Sequence, residues 1–186
     1  MIKYREEDYY VHKINSYGIE GNLLNWIESS LTDRRMTVVV NGCVSAEGSV
    51  TSGVPQGSVL GPLLFVIYMD DLPINVTSPL YMYADDTKLF RKVENEFDHE
   101  ILQQDLNALC KWSKDWLLNF HPEKCSVMHL GNSNPEFSYL LNERQLSKTT
   151  AEKDLGIIVD DKLNFEQHIN PISAGLLDTL KCRAGA

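Results

Sequence analysis

The chain has 186 residues, 43% of them hydrophobic, enough for one domain with a real core. Seventeen Lys and Arg against 26 Asp and Glu leave a formal net charge of −9, which taken bluntly argues against nucleic-acid binding, since phosphate contacts need basic side chains. The longest apolar run, Val59 to Met69, holds Gly61 and Pro62 and falls short of the ~20 residues of a membrane helix. No signal peptide is seen, so reduced thiols, an intracellular (nuclear or cytoplasmic) setting and no membrane partner are expected. Cys43, Cys110, Cys125 and Cys182 are far apart and contain no zinc-type spacing.

Met1 to Tyr10 is polar and without period. Val11, Ile14 and Tyr17 have helical spacing, and Gly18 is a C-terminal stop. Asn22 is the expected cap of a second helix, with Leu23, Trp26, Ile27, Ser30 and Leu31 as its core stripe. Arg34 and Arg35 follow in a loop. A solvated turn is their plain reading and a phosphate contact the sharper one. Met36 to Val40 reads as a strand, Asn41-Gly42 as a hairpin turn, and Cys43 to Thr51 as the returning strand. Gly53 to Gly57 is a glycine-rich loop where backbone can approach a ligand closely. Ser58 then caps a helix with Pro62 in its first turn, which Pro73 ends. The apolar Leu63 to Met69 should be buried on nearly every side. Asp70 and Asp71 should face water and are not read as metal ligands.

Leu80 to Ala84 is too short an apolar run for a helix, and Leu89 and Phe90 resume the character beyond Asp85-Asp86. The pattern is strand, tight turn, strand. The plain reading is that Asp85-Asp86-Thr87 makes the turn; the sharper one is that the turn offers carboxylates to a hard divalent cation. Asp98 is the expected cap of a long helix whose Leu102, Leu106, Leu109, Trp112 and Trp116 keep a 3.6-residue period. Strands are expected over Cys125 to Leu130, Phe137 to Leu141 and Leu155 to Val159, with turns at Asn142-Glu143 and Asp160-Asp161. A further helix begins near His168. Helices and strands alternate without repeats, so the fold class is α+β or α/β, with helices against one sheet.

Ser52-Gly53-Val54-Pro55-Gln56-Gly57-Ser58-Val59-Leu60-Gly61-Pro62-Leu63-Leu64-Phe65, followed by Tyr83-Ala84-Asp85-Asp86, resembles the reverse transcriptases of non-LTR retrotransposons, the LINE and jockey-like elements. The resemblance runs in block order from Gly18 to Ile169. It implies an α+β polymerase palm, a ferredoxin-like antiparallel sheet with helices on one face, plus part of the fingers and the start of the thumb. Residues 1–163 would be palm with partial fingers and 164–186 a truncated start of thumb. The hairpin at Asp85-Asp86 would pair with the strand near Cys125 to Leu130.

The implied activity is RNA-directed DNA synthesis, with RNA template, DNA primer and dNTPs as partners; oligomeric state is left open. In that chemistry two Mg²⁺ (or Mn²⁺) ions about 3.5–4 Å apart stabilise the attacking and leaving oxygens. The resemblance makes Asp85 and Asp86 catalytic residues and metal ligands. It puts Pro55, Gln56 and Gly57 beside template and nucleotide, and Lys124 near the pyrophosphate. Leu155-Gly156-Ile157 resembles a primer-gripping hairpin. The family's third acid falls at position 3, where this chain has Lys3; Asp8 lies further along. The two-metal site is therefore expected to be incomplete and the isolated chain inactive. The alternative is a non-catalytic, decayed remnant with at most weak nucleic-acid contact. A maturase is disfavoured, because maturases need further basic domains.

Overall fold

The computed structural model describes residues 6–50, 53–55, 57–131 and 133–171, which divide into two compact units. The first comprises Met1–Phe90 with Lys111–Asn119; the second comprises Arg91–Cys110 with Phe120–Ala186.

In the first unit, helix α1 (Glu6–Ser16) begins earlier than its apolar spacing suggests and ends before Gly18, as expected. Helix α2 (Gly21–Leu31) is not capped by Asn22: Glu20 holds the N-cap position and makes no side-chain cap hydrogen bond. Ile27 and Leu31 are buried against the unit, whereas Leu23 and Trp26 of the predicted stripe are exposed, Trp26 by 56%. The two-helix contact of α1 with α2 covers only part of a stripe that wide.

A long ribbon follows. Strands β1 (Arg35–Met36) and β4 (Gly48–Ser49) pair antiparallel, as do β2 (Val39–Val40) and β3 (Cys43–Val44). Asn41 and Gly42 turn the ribbon at φ +51° and +80°, the left-handed pair that a type I′ hairpin demands. Between the two ladders Ser45 takes over the pairing, accepting from the Val38 N–H at 3.0 Å and donating its own N–H to the Val38 carbonyl at 2.9 Å.

Helix α3 (Leu60–Met69) leads into a 3₁₀ turn at Leu72–Asn75, so Pro73 ends the α-helix as expected. Leu64, Tyr68 and Met69 are buried, but Leu63 and Val66 are exposed, which corrects the expectation of burial on every side. An all-apolar helix does not reveal which of its faces its own unit covers. Strands β5 (Leu80–Tyr83) and β6 (Asp86–Leu89) then form an antiparallel hairpin.

Asp71 is only partly exposed and is not left to water alone. Its Oδ1 accepts from the Lys13 ammonium at 2.6 Å and from the Trp112 indole N–H at 2.8 Å. Lys13, only 6% exposed, also donates to the Tyr68 carbonyl and lies over the rings of Trp116, Tyr68 and Trp112. Burial pulls the Lys13 ammonium below its ordinary pKa; the Asp71 hydrogen bond and charge pull it the other way. A lysine is almost never this buried without such a partner. Asp70, next door, is exposed and accepts from the Tyr17 hydroxyl.

Helix α4 (Glu96–Asp115) starts upstream of the expected cap. Asn95 caps it, its Oδ1 accepting from the Asp98 N–H at 3.1 Å, while the Asp98 carboxylate reaches back to the Glu94 N–H at 3.0 Å. The two bonds are reciprocal as in a capping box, but the return bond reaches one residue before the cap, and the predicted cap residue is the downstream half. The apolar period behaves as expected, with Leu109 and Trp112 buried and Leu102 and Leu106 half-buried.

In the second unit the core gathers Cys110, Tyr139, Leu141 and Leu146, with Leu102, Leu106, Phe120, Cys125, Val127 and Phe137 packed around them. Strand β7 (Ser126–Met128) lies where expected, as does the hairpin of β8 (Leu140–Leu141) and β9 (Arg144–Gln145), turned at Asn142-Glu143. Gln103 clamps β8 by exchanging two hydrogen bonds of 2.9 Å with Leu140. Strand β10 (Ser147–Thr149) pairs parallel with β7. Strands β11 (Ala151–Asp154) and β12 (Ile157–Asp160) form the last hairpin, and Leu155-Gly156 is its turn rather than the start of a strand. Asp160 is more than a turn residue: buried, it accepts from the N–H groups of Lys162, Asn164 and Phe165, and a helix starts at 166.

The chain is thus α+β, with its described strands in six two-stranded ribbons. The two strands of the Asp-Asp hairpin pair with each other inside the first unit. Strand β7 finds its partner, β10, inside its own unit. No helix among the described residues is long and apolar enough to cross a membrane.

Candidate functional site

Asp85 and Asp86 sit at the tip of the β5–β6 hairpin. The registers Leu80↔Leu89 to Tyr83↔Asp86 leave Ala84 and Asp85 as a two-residue turn. Ala84 stands at φ +52°, a left-handed conformation that disfavours a residue with a Cβ. Ordinary turn chemistry would put glycine there, so local strain is held where the two acids project. Both carboxylates are exposed. Asp85 lies in the turn and Asp86 opens β6, which removes the strand alternation that would send adjacent side chains to opposite faces. Tyr81 and Phe90 stack on the same ribbon at 5.1 Å.

The glycine-rich loop lies in the same unit. Pro55 and Gly57 are described, Gly57 at φ +79°, while Gln56 lies outside the described residues. Ser58 fulfils its predicted capping role although the helix formally starts later: its Oγ accepts from the Gly61 N–H at 2.9 Å and donates to the Pro55 carbonyl at 2.8 Å. The loop is therefore folded back onto the first turn of α3. Gly61 makes that possible, since a Cβ there would lie 2.7 Å from the Pro55 carbonyl oxygen. No local signal separates Gly61 from an ordinary helical glycine, and sequence reading missed it. Gly61→Ala should therefore reverse the usual gain of about 1 kcal/mol for alanine in a helix. We expect a net loss of about 1–3 kcal/mol, read by chemical denaturation. Any stabilisation would show that the loop does not need this contact.

The remaining predicted positions lie on other elements. Lys124 is exposed, on a 3₁₀ turn of the second unit, and Leu155-Gly156 turns the β11–β12 hairpin there. Arg34 is not a freely solvated side chain: it donates from Nε to the Leu31 carbonyl at 3.0 Å and from Nη2 to the Gly53 carbonyl, tying the ribbon to the start of the glycine-rich loop. Arg35 pairs with Glu47 at 3.1 Å in the open. Lys3 lies outside the described residues. A hard cation takes oxygen ligands, and the two tip carboxylates suit it in kind. They fall short in number, because among the described residues no three His, Cys, Asp or Glu side chains gather where a metal could be held.

A strained, doubly acidic hairpin tip and a glycine loop folded onto an apolar helix occur together in one unit. The model of the family "Reverse transcriptase (RNA-dependent DNA polymerase)" matches residues 2–159. This chain belongs to the reverse transcriptase family. It is 35% identical over 158 residues to the RNA-directed DNA polymerase from mobile element jockey of Drosophila melanogaster, covering 78% of this chain and 17% of that protein. The protein of the same name from Drosophila funebris is 32% identical over 160 residues, covering 81% and 18%. The probable RNA-directed DNA polymerase from transposon BS of Drosophila melanogaster is 35% identical over 156 residues, covering 77% and 17%. The chain thus spans less than a fifth of the length of these curated relatives. The reverse transcriptase match includes both the hairpin tip and the glycine loop, and it extends upstream to position 2, so Lys3 falls within it.

Proposed function

We propose that this chain is the palm-bearing segment of a retrotransposon reverse transcriptase, whose reaction copies an RNA template into DNA from a DNA primer and dNTPs. The observation that carries this reading is the solvent-facing Asp85-Asp86 pair, Asp85 in the two-residue turn beside Ala84 at φ +52° and Asp86 at the first position of β6, in a chain of this family. Asp85 would hold the divalent metal directly, with Asp86 as a second or accessory ligand. When bound, Mg²⁺ or Mn²⁺ supplies charge stabilisation to the attacking and leaving oxygens. Pro55, Gln56 and Gly57 flank template and nucleotide, where a glycine admits a base or sugar close to the backbone. Lys124 takes, from the family resemblance alone, a role toward the pyrophosphate leaving group. Residues 1–163 belong to palm and partial fingers, and 164–186 to the thumb. The second reading, a non-catalytic remnant, is favoured by Lys3 at the third acid's place.

Titration with Mn²⁺, followed by paramagnetic broadening of amide signals, tests the assignment. Broadening should centre on Ala84 to Asp86 and vanish in Asp85→Asn. Binding should be weak, because two carboxylates give few ligands to a cation that dehydrates reluctantly. Broadening centred on Asp70 and Asp71 would refute it. Those acids are already engaged by Tyr17, Lys13 and Trp112.

A further inference from the structure

The surroundings of Lys13 form a receptor assembled from parts that hold one another without it. Tyr68 donates its hydroxyl hydrogen to the Trp116 carbonyl, joining the end of α3 to the end of α4. The Trp112 indole N–H fixes the Asp71 carboxylate at 2.8 Å. Trp112 and Tyr68 meet edge to face at 6.2 Å, and Tyr68 and Trp116 at 5.9 Å. These side chains make an aromatic wall with one anionic corner; α1 supplies the ammonium and also sets Tyr9 edge-on against Trp116 at 5.3 Å and Tyr10 stacked on Tyr68 at 4.4 Å. That ammonium lies 4.0 Å from the Trp116 ring centroid, 5.0 Å from that of Tyr68 and 5.3 Å from that of Trp112. Two of its hydrogens go to the Tyr68 carbonyl and to Asp71. Ring faces attract cations through their quadrupole, and more strongly once water is excluded.

We propose that Tyr68, Asp71, Trp112 and Trp116 constitute an ammonium-binding site in its own right, with Lys13 as its resident ligand, and that a free primary alkylammonium ion can take Lys13's place. The site works as a latch. It seats α1 on α3 by a charge-specific contact, and α1 begins directly after residues 1–5. None of this depends on whether the chain catalyses anything.

The test uses the full chain carrying Lys13→Ala, which empties the site down to Cβ. Its melting temperature should fall, and propylammonium chloride should restore most of the loss in a saturable way, by mass action on the folded form. Equal concentrations of sodium chloride or 1-propanol should not, and Asp71→Asn in the same background should abolish the rescue. Propylammonium acting no better than sodium chloride would overturn the proposal. Should Lys13→Ala fail to fold on its own, its refolding in propylammonium chloride, set against equal sodium chloride and 1-propanol, carries the same test. Folding recovered with propylammonium alone supports the proposal, and equal recovery or none in all three would refute it.

Discussion

Primer extension by this chain on an RNA template, with either Mg²⁺ or Mn²⁺, is expected to remain at the level of an Asp85→Ala blank. The cause assigned is local. Lys3 stands where family resemblance puts a third carboxylate, and among the described residues no third acid joins Asp85 and Asp86. Charge stabilisation by such metals amounts to several kcal/mol, and each ~1.36 kcal/mol is tenfold in rate. A cation in that place also repels the ions it should hold. Extension above the blank would show that another acid fills the gap, with Asp8 the nearest in sequence. Lys3→Asp is the matching gain-of-function variant. If it stays silent while Mn²⁺ still broadens the hairpin tip, the deficit lies beyond the first ligand.

Asp71→Asn is expected to destabilise the first unit by about 3 kcal/mol, the lower end for breaking a buried ion pair by removing one partner, since Asp71 keeps some exposure. The asparagine oxygen still accepts a hydrogen bond but offers Lys13 no counter-charge, and burial already disfavours that ammonium. Asp70→Asn next door should change stability by less than about 1 kcal/mol, because Asp70 is exposed and the Tyr17 hydroxyl can donate to an amide oxygen as well. Trp26, Trp112 and Trp116 all belong to the first unit, so tryptophan fluorescence during urea unfolding reports on it. Equal effects of the two substitutions would remove the distinction between the adjacent acids.

This pair shows where sequence reading stops. Asp70 and Asp71 are adjacent, chemically identical and placed at a helix end, so both read as solvated. What separates them is that Lys13 and Trp112, from two other helices, converge on Asp71. The same holds for Gly61. Its role comes from the Pro55 carbonyl folding back onto it, a distance that no periodicity encodes.

Local chemistry determined what could be read from the chain alone. Asn41-Gly42 and Asn142-Glu143 turn their hairpins because left-handed backbone is tolerated there by few residue types. Ser58 caps, and Pro73 stops an α-helix, because each acts on backbone groups a few residues away. The Asp85-Asp86 tip was legible because a short apolar run on either side of two acids leaves little but a hairpin, and the glycine block beside it carried the family. Tertiary structure alone decided which apolar faces are covered, leaving Trp26, Leu63 and Val66 open while Ile27, Leu64 and Tyr68 are buried. It also decided that β7 pairs with β10, and that a lysine lies inside an aromatic cage. The physical reason is common to all of these. Hydrophobic burial is nondirectional, and backbone pairing does not depend on side-chain identity, so neither names its partner, and the partners come from segments tens of residues away.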